Sequence, residues 1–295
     1  MMQQSEMLAQ IEQGEGFIAA LDQSGGSTPG ALAAYGVDAE AFAGDEEMYA
    51  LIHAMRTRII TSPCFAGDKV IGAILFERTM DGEAEGKPVP DVLKERGVVP
   101  FLKVDKGLEE EANGVKLMKP IGDLDALLDR AVEKGMFGTK MRSVIERASP
   151  EGIAAIVAQQ FEVAARIAAK GLMPIIEPEV SIKSPERAKC DAILRDEILR
   201  ALDAMPDGQV MLKLTLPAEA NLFAPLVDHP RVLRVVALSG GFSREEACRQ
   251  LAENRGMIAS FSRALLSDLR SDMDDDQFDR SLEGAIDEIK AASIS

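Results

Sequence analysis

Short apolar runs alternate with longer amphipathic stretches along the chain. The runs cover residues 16–21, 70–76, 98–102, 135–139, 172–176, 210–215, 232–238 and 256–259. Each is too short for a core helix and is bounded by Gly, Pro or charge, which predicts buried strands. Between them, residues 45–59 place Met48, Leu51, Ile52, Met55 and Ile59 on one helical face. Residues 123–134 form an amphipathic stretch stopped by Gly135, and Pro150 opens an Ala-rich helix through Lys170 that Gly171 ends. Further helices are predicted over 5–13, 184–204 and 274–292, the last striped by Phe278, Leu282, Ile286 and Ile289. Ser243, with Glu246 three residues later, predicts a capping box. Residues 81–90, rich in Gly, Pro and charge, predict an exposed, mobile loop.

Strand and helix in alternation predict a parallel sheet. Eight such units in 295 residues predict an α/β fold, a (β/α)8 TIM barrel with N-terminal and C-terminal extra helices, as one domain over residues 1–295. An open doubly wound sheet is the alternative. The barrel reading gains support from where the polar residues fall, since every run ends on one. Asp22, Glu77, Lys103, Lys140, Glu177, Lys213, Ser239 and Ser260 would converge on the C-terminal mouth, where such barrels place their active sites.

Composition narrows the chemistry. A net charge of −16 argues against nucleic acid or an anionic membrane as partner, so an anionic substrate must be met by a local cluster of Lys and Arg. Cys64, Cys190 and Cys248 are far apart with no Cys-x-x-Cys spacing, which predicts reduced thiols and a cytoplasmic setting. The first residues lack the basic start and apolar core of a signal peptide. With only His53 and His229, a metal enzyme built on clustered histidines is disfavoured, although carboxylates could hold Mg²⁺.

The run Val210-Met211-Leu212-Lys213-Leu214-Thr215 carries a lysine in its middle. A buried ammonium must be paired or lose its proton, and a neutral amine attacks carbonyls to form a Schiff base. The structural alternative is a lysine that snorkels or pairs with a carboxylate. If Lys103 and Lys140 lie close to Lys213, like charges would depress its affinity for a proton. Imine chemistry also needs a proton donor and acceptor, for which Glu177 and Asp22 are the candidates. Ser239-Gly240-Gly241 ahead of a helix, with Arg263 after the eighth run, is a candidate phosphate site.

Taken together, Ala20-Leu21-Asp22-Gln23-Ser24, Leu75-Phe76-Glu77, Leu102-Lys103-Val104-Asp105-Lys106-Gly107, Lys140-Met141-Arg142, Ile176-Glu177-Pro178-Glu179, Leu212-Lys213, Leu238-Ser239-Gly240-Gly241 and Phe261-Ser262-Arg263 resemble class I fructose-1,6-bisphosphate aldolase, most of all its shorter bacterial form. The resemblance implies a metal-independent lyase of glycolysis and gluconeogenesis with no cofactor beyond the covalent Schiff base at Lys213. It would cleave fructose 1,6-bisphosphate reversibly to dihydroxyacetone phosphate and glyceraldehyde 3-phosphate. Glu177 would be the general acid/base, with Glu179 nearby; Asp22 and Lys140 would orient substrate hydroxyls beside Lys103. Ser239, Gly240, Gly241 and Arg263 would hold the phosphate of dihydroxyacetone phosphate, with Ser260 and Ser262 adjacent, while Ser24 and Ser27 would lie towards the other phosphate and Arg142 would also bind substrate.

The chain departs from the animal pattern in three places. Thr28-Pro29-Gly30 replaces a basic pair, Met141 replaces an aromatic, and the end, Ala292-Ser293-Ile294-Ser295, lacks a tyrosine used in proton transfer. Two other readings stay open at this level: a different Schiff-base barrel, transaldolase-like or deoxyribose-phosphate-aldolase-like, and a non-catalytic sugar-phosphate sensor. For Glu77 and Arg78, ion pairing at the rim competes with substrate contact.

Overall fold

The computed structural model describes residues 2–295. Eight parallel strands follow one another in chain order: β1 Phe17–Leu21, β2 Val70–Leu75, β3 Val99–Lys103, β4 Gly138–Ile145, β5 Met173–Val180, β6 Val210–Thr215, β7 Val232–Leu238 and β8 Met257–Ala259. The Ala20 N–H donates to the Phe261 carbonyl just beyond β8, at 3.1 Å, so the sheet curls round until its last strand meets its first. Helices lie between the strands and outside them, as parallel crossovers require.

Side chains alternate along each strand and sort into two apolar layers. Ile18, Ala20, Ile71, Ile74, Val99, Phe101, Ile175, Met211, Val236 and Ile258 fill the barrel interior. Their neighbours, such as Ala19, Leu21, Leu102, Met141, Ile176, Leu212 and Ala237, face the helices in a larger cluster. The helix Gln4–Gln13 joins the inner layer through Met7 and Ile11, and so plugs the N-terminal end of the barrel. Arg234 donates to the Glu12 and Gly14 carbonyls at 2.7 and 3.0 Å and pins that plug. With one end stoppered by apolar side chains, the interior opens at the other.

The long helix Pro150–Ala169 is long and apolar enough to cross a membrane, yet Ile153, Ile156, Val157, Ala164 and Ile167 are buried against the sheet and its neighbours. Ser149 caps its start by accepting from the Gly152 N–H. At the C-terminus, Asp275–Ser293 buries the predicted stripe Phe278, Leu282, Ile286 and Ile289. Its Ser293 hydroxyl accepts from the Ala259 N–H at 3.0 Å and donates to the Ile289 carbonyl, satisfying a β8 donor that the ladder leaves free.

Several expectations need correction. Residues 81–90 are not an open loop: Glu83–Ala84 and Lys87–Pro88 form a tight antiparallel hairpin turned by Glu85 and Gly86 in the left-handed region, and a helix begins at Val89. The fourth and fifth runs do not end at their first polar residue. β4 and β5 pair residue by residue from Gly138 with Met173 to Ile145 with Val180, and the ribbon Val115–Lys116 adds to the far end of β4. Charge within a strand is tolerated there because those side chains point into a polar cavity. Ser243 does cap its helix by accepting from the Glu246 N–H, but the Glu246 carboxylate turns to Arg249 and Gln250, so the reciprocal half of the capping box is missing.

Candidate active site

The two-residue period of each strand carries the site. Continuing the inward positions past the apolar layer gives Asp22 after Ala20, Lys103 after Phe101, Lys140 and Arg142 after Gly138, Glu177 and Glu179 after Ile175, Lys213 after Met211, and Ser260 and Ser262 after Ile258. All of them line one cavity of about 1150 Å³ at the C-terminal mouth. Ser239, Gly240, Arg263, Ser24 and Ser27 line it too. Gly241 sits just behind: a Cβ there would lie 3.3 Å from the Arg263 guanidinium.

Lys140 is the centre of the polar network. Its ammonium lies 2.6 Å from Asp22 Oδ2, 2.9 Å from Glu177 Oε2 and 4.0 Å from Asp105 Oδ2, and its side chain is 3% exposed. Burial alone would drive off its proton; the three carboxylates outweigh that and hold Lys140 firmly charged. Burial likewise pushes the Asp22 carboxyl up, but Lys140, Lys213 and Lys103 overcome it and keep Asp22 well below the usual carboxylate range. For Glu177 the same contest, burial against Lys140 and Lys213, ends with the carboxyl lowered.

Lys213 Nζ lies 3.2 Å from Glu177 Oε1 with both side chains 5% exposed. Lys103 is held by Asp105, through its carboxylate at 2.7 Å and its carbonyl at 2.9 Å. The lysines therefore do not crowd one another as the sequence suggested: carboxylates stand between them, Glu177 separating Lys213 from Lys140 and Asp105 separating Lys140 from Lys103. That arrangement places a proton acceptor against each amine.

At the phosphate candidate, Gly240 and Gly241 have φ of +60° and +117°, which only glycine adopts without strain. A Cβ on Gly240 would also come within 2.7 Å of Ile182. The loop thus brings its backbone close to the exposed Arg263. The buried Ser260 hydroxyl has no hydrogen-bond partner among the described residues and lines the cavity. Ser262 instead accepts from Gln23 Nε2 at 2.6 Å, and Ser27 is committed to its own turn, donating to the Ser24 carbonyl and accepting from the Ser24 N–H. Arg142 is tied to Glu179 at 2.5 Å.

Glu77 does not reach the cavity. It opens the short helix Glu77–Asp81 and pairs with Lys106, at 3.0 Å, and with Arg130, while Arg78 pairs with Glu46 at 3.2 Å. β2 ends at Leu75, so residue 76 is the inward one and Phe76 lines the wall in its place. Tyr35 lines the mouth, stacked edge-on against Phe278 with its hydroxyl 3.3 Å from Arg58.

Three residues escaped the sequence reading. Arg56 is buried in the helix Asp45–Thr61, donates to the Thr79 hydroxyl at 2.9 Å and to the Gln23 carbonyl, and so anchors the residue after Asp22; burial lowers its guanidinium to about 10. Gln160 reaches in from the helix Pro150–Ala169, donating to the Ser143 hydroxyl at 3.0 Å and accepting from the Glu177 N–H at 2.9 Å. A signal existed for both, because each is a polar residue on the buried stripe of its helix. Asp105 lay within a quoted motif but had no role. Among the described residues, no group of three His, Cys, Asp or Glu is placed to hold a metal ion.

A structure from Plasmodium falciparum, fructose-bisphosphate aldolase in complex with TRAP and a small-molecule inhibitor, superposes with a TM-score of 0.80 at 20% identity, covering 99% of this chain and 94% of that one. That likeness establishes the barrel fold. An N-acetylneuraminic acid synthetase from Leptospira borgpetersenii superposes loosely, at 9% identity with a TM-score of 0.44 over 96% of this chain and 85% of that one. The family model for fructose-bisphosphate aldolase class-I matches residues 4–225, a span that includes β1 through β6 and every charged residue of the central network. The chain belongs to the class I fructose-bisphosphate aldolase family, enzymes that act on sugar phosphates through a lysine Schiff base without a metal.

Proposed function

We propose that the protein cleaves fructose 1,6-bisphosphate reversibly between C3 and C4, with Lys213 as the Schiff-base lysine. The observation that carries this reading is the Lys213 amine, buried at the mouth with Glu177 at 3.2 Å and, among the described residues, no other carboxylate in contact. Lys213 passes a proton to Glu177 and its nitrogen attacks the C2 ketone; Glu177 returns the proton to the carbinolamine hydroxyl, which leaves as water. The iminium that results draws electrons from the C3–C4 bond once a base takes the C4 hydroxyl proton. Glu177 is that base, and Lys140, kept charged and held in place by Asp22, steadies the oxygen.

Glyceraldehyde 3-phosphate leaves, the enamine takes a proton at C3, and hydrolysis of the iminium frees dihydroxyacetone phosphate and Lys213. The Gly240–Gly241 backbone, Ser239 and Arg263 suit the phosphate of that product. The three unpaired thiols accord with a cytoplasmic setting.

A second reading, another Schiff-base aldolase acting on a different sugar phosphate, is favoured by one observation. The cations Lys103, Lys106 and Arg142, which line the cavity from β3, the loop after it and β4, are already paired with Asp105, Glu77 and Glu179. Borohydride reduction with dihydroxyacetone phosphate, followed by peptide mass mapping, tests the chemistry, and cleavage rates on mono- and bisphosphorylated ketoses separate the two readings. An adduct on Lys213 is expected; an adduct elsewhere overturns the assignment of Lys213, and none overturns cleavage of fructose 1,6-bisphosphate.

A further inference from the structure

Asp105 stands at the end of the polar row that starts at Lys213. Its side chain is 4% exposed, follows Lys103 by two residues and lines the cavity. One carboxylate oxygen, Oδ1, is engaged by the Lys103 ammonium at 2.7 Å and by the Gly107 N–H at 3.4 Å. The other, Oδ2, has no hydrogen-bond partner among the described residues, and the Lys140 ammonium at 4.0 Å is out of hydrogen-bond reach. A buried carboxylate oxygen left without a donor is costly, and in a cavity wall it marks where a ligand donor belongs.

We infer that Asp105 Oδ2 accepts a hydrogen bond from the hydroxyl next to the aldehyde carbon, and so selects α-hydroxyaldehydes as the aldehyde partner. This rests on the aldolase reading above and adds which half of the substrate Asp105 reads. Starting from a ketone carbon on Lys213, the row runs Glu177, Lys140, Asp105, with successive gaps of 3.2, 2.9 and 4.0 Å. The oxygen that becomes the aldehyde belongs beside Glu177 and Lys140. The hydroxyl on the following carbon is then the group carried to Asp105. A carboxylate only accepts, so it welcomes a hydroxyl and repels a phosphate dianion; the charge on Lys103, spent on the same carboxylate, does not reverse that preference.

The test is condensation of dihydroxyacetone phosphate with D-glyceraldehyde or with propanal, in the wild type, Asp105→Ala and Asp105→Asn, alongside borohydride trapping of dihydroxyacetone phosphate alone. The wild type is expected to favour glyceraldehyde in kcat/KM by at least about 100-fold, since a site built to bond a hydroxyl rejects the analogue without it. Asp105→Ala should reduce that ratio to less than about tenfold by losing rate on glyceraldehyde while propanal holds, with Asp105→Asn in between because its amide oxygen still accepts. Trapping on Lys213 should persist in both variants, which also reports that they fold. An unchanged ratio with trapping intact overturns the role of Asp105 and leaves the aldolase reading standing, as do equal losses for both aldehydes, the mark of a residue that merely supports Lys103. No trapping and no condensation in the wild type would sink the aldolase reading and this inference with it.

Discussion

Lys140 Nζ stands 2.6 Å from Asp22 Oδ2, the shortest of its contacts with the carboxylates around it. The two residues come from opposite ends of half the barrel, and neither is exposed enough for water to replace the other. Lys140→Met leaves Asp22 and Glu177 buried without their principal cation, which costs about 3–5 kcal/mol at pH 7. Asp22 and Glu177 sit below their ordinary values of 3.8 and 4.5 in the folded wild type, so their contribution is fully present above those values and is lost as pH falls through the lowered ones. In Lys140→Met both carboxyls take up protons at higher pH, and the deficit against wild type should shrink towards pH 4. Urea unfolding at both pH values measures it; a deficit that does not change with pH contradicts the assignment.

Lys213→Met should behave differently. Glu177 keeps Lys140 at 2.9 Å, so no carboxylate is stranded and stability should stay within about 1 kcal/mol of wild type. Turnover should fall by at least about 10³-fold, with no borohydride adduct. A folded variant that still forms the adduct would move the Schiff base to another lysine.

Gln160→Leu keeps the bulk of a residue that bridges β4 and β5 but removes both its hydrogen bonds. The Glu177 N–H and the Ser143 hydroxyl lose their buried partner, at about 2–3 kcal/mol in all. Because Glu177 shifts while the phosphate loop does not, kcat should fall more than KM rises. Equal changes in the two, or a melting temperature like wild type, would show that Gln160 does not brace Glu177.

Asp191 offers a pH effect of opposite sign. It is fully buried and accepts from the Ala218 N–H at 2.9 Å, with its other oxygen unpaired. Burial raises its carboxyl from 3.8 to about 6, against the pull of that N–H and of Arg187. An acid whose folded value is raised costs stability as pH climbs from 3.8 to about 6, and the whole penalty is present above that. Asp191→Asn should therefore stabilise the protein at pH 8, by at most about 3 kcal/mol, and make no difference near pH 3.5. Thermal melts across that range test it; a variant less stable at pH 8 would show that the Asp191 charge is satisfied.

Chelation gives the simplest control. The carboxylates Asp22, Asp105 and Glu177 surround an ammonium, and every proton and bond assigned to a residue in the proposed steps is handled by Lys213, Glu177 and Lys140. Prolonged EDTA treatment should leave the cleavage rate unchanged, and loss of activity restored by a divalent cation would contradict the mechanism.

Much of the site was legible because a charge in an apolar run has few structural excuses. Lys213 stood out for that reason, Lys140 and Glu177 because each closes such a run, and all three face the cavity. Glu77 misled because β2 stops at Leu75, so the period-two argument puts Phe76 on the inner face and leaves Glu77 to start a helix. Arg56 and Gln160 went unnoticed since a polar residue on a helix stripe was read with the stripe rather than against it. The electrostatics also came out otherwise: lysines expected to repel one another are interleaved with carboxylates.

Local pattern determined the alternation of strands and helices and the side of each strand on which Asp22, Lys103, Lys140, Glu177 and Lys213 emerge, because side-chain direction along a strand is fixed by its neighbours in sequence; closure into a barrel, rather than an open sheet, was settled where β8 meets β1. Tertiary structure decided which acid meets which amine, how far β4 and β5 run past their first charge, and that one oxygen of Asp105 is left facing the cavity. Those outcomes depend on how strands distant in the chain are staggered round the barrel. No stretch of sequence short enough to read by its own period contains that stagger.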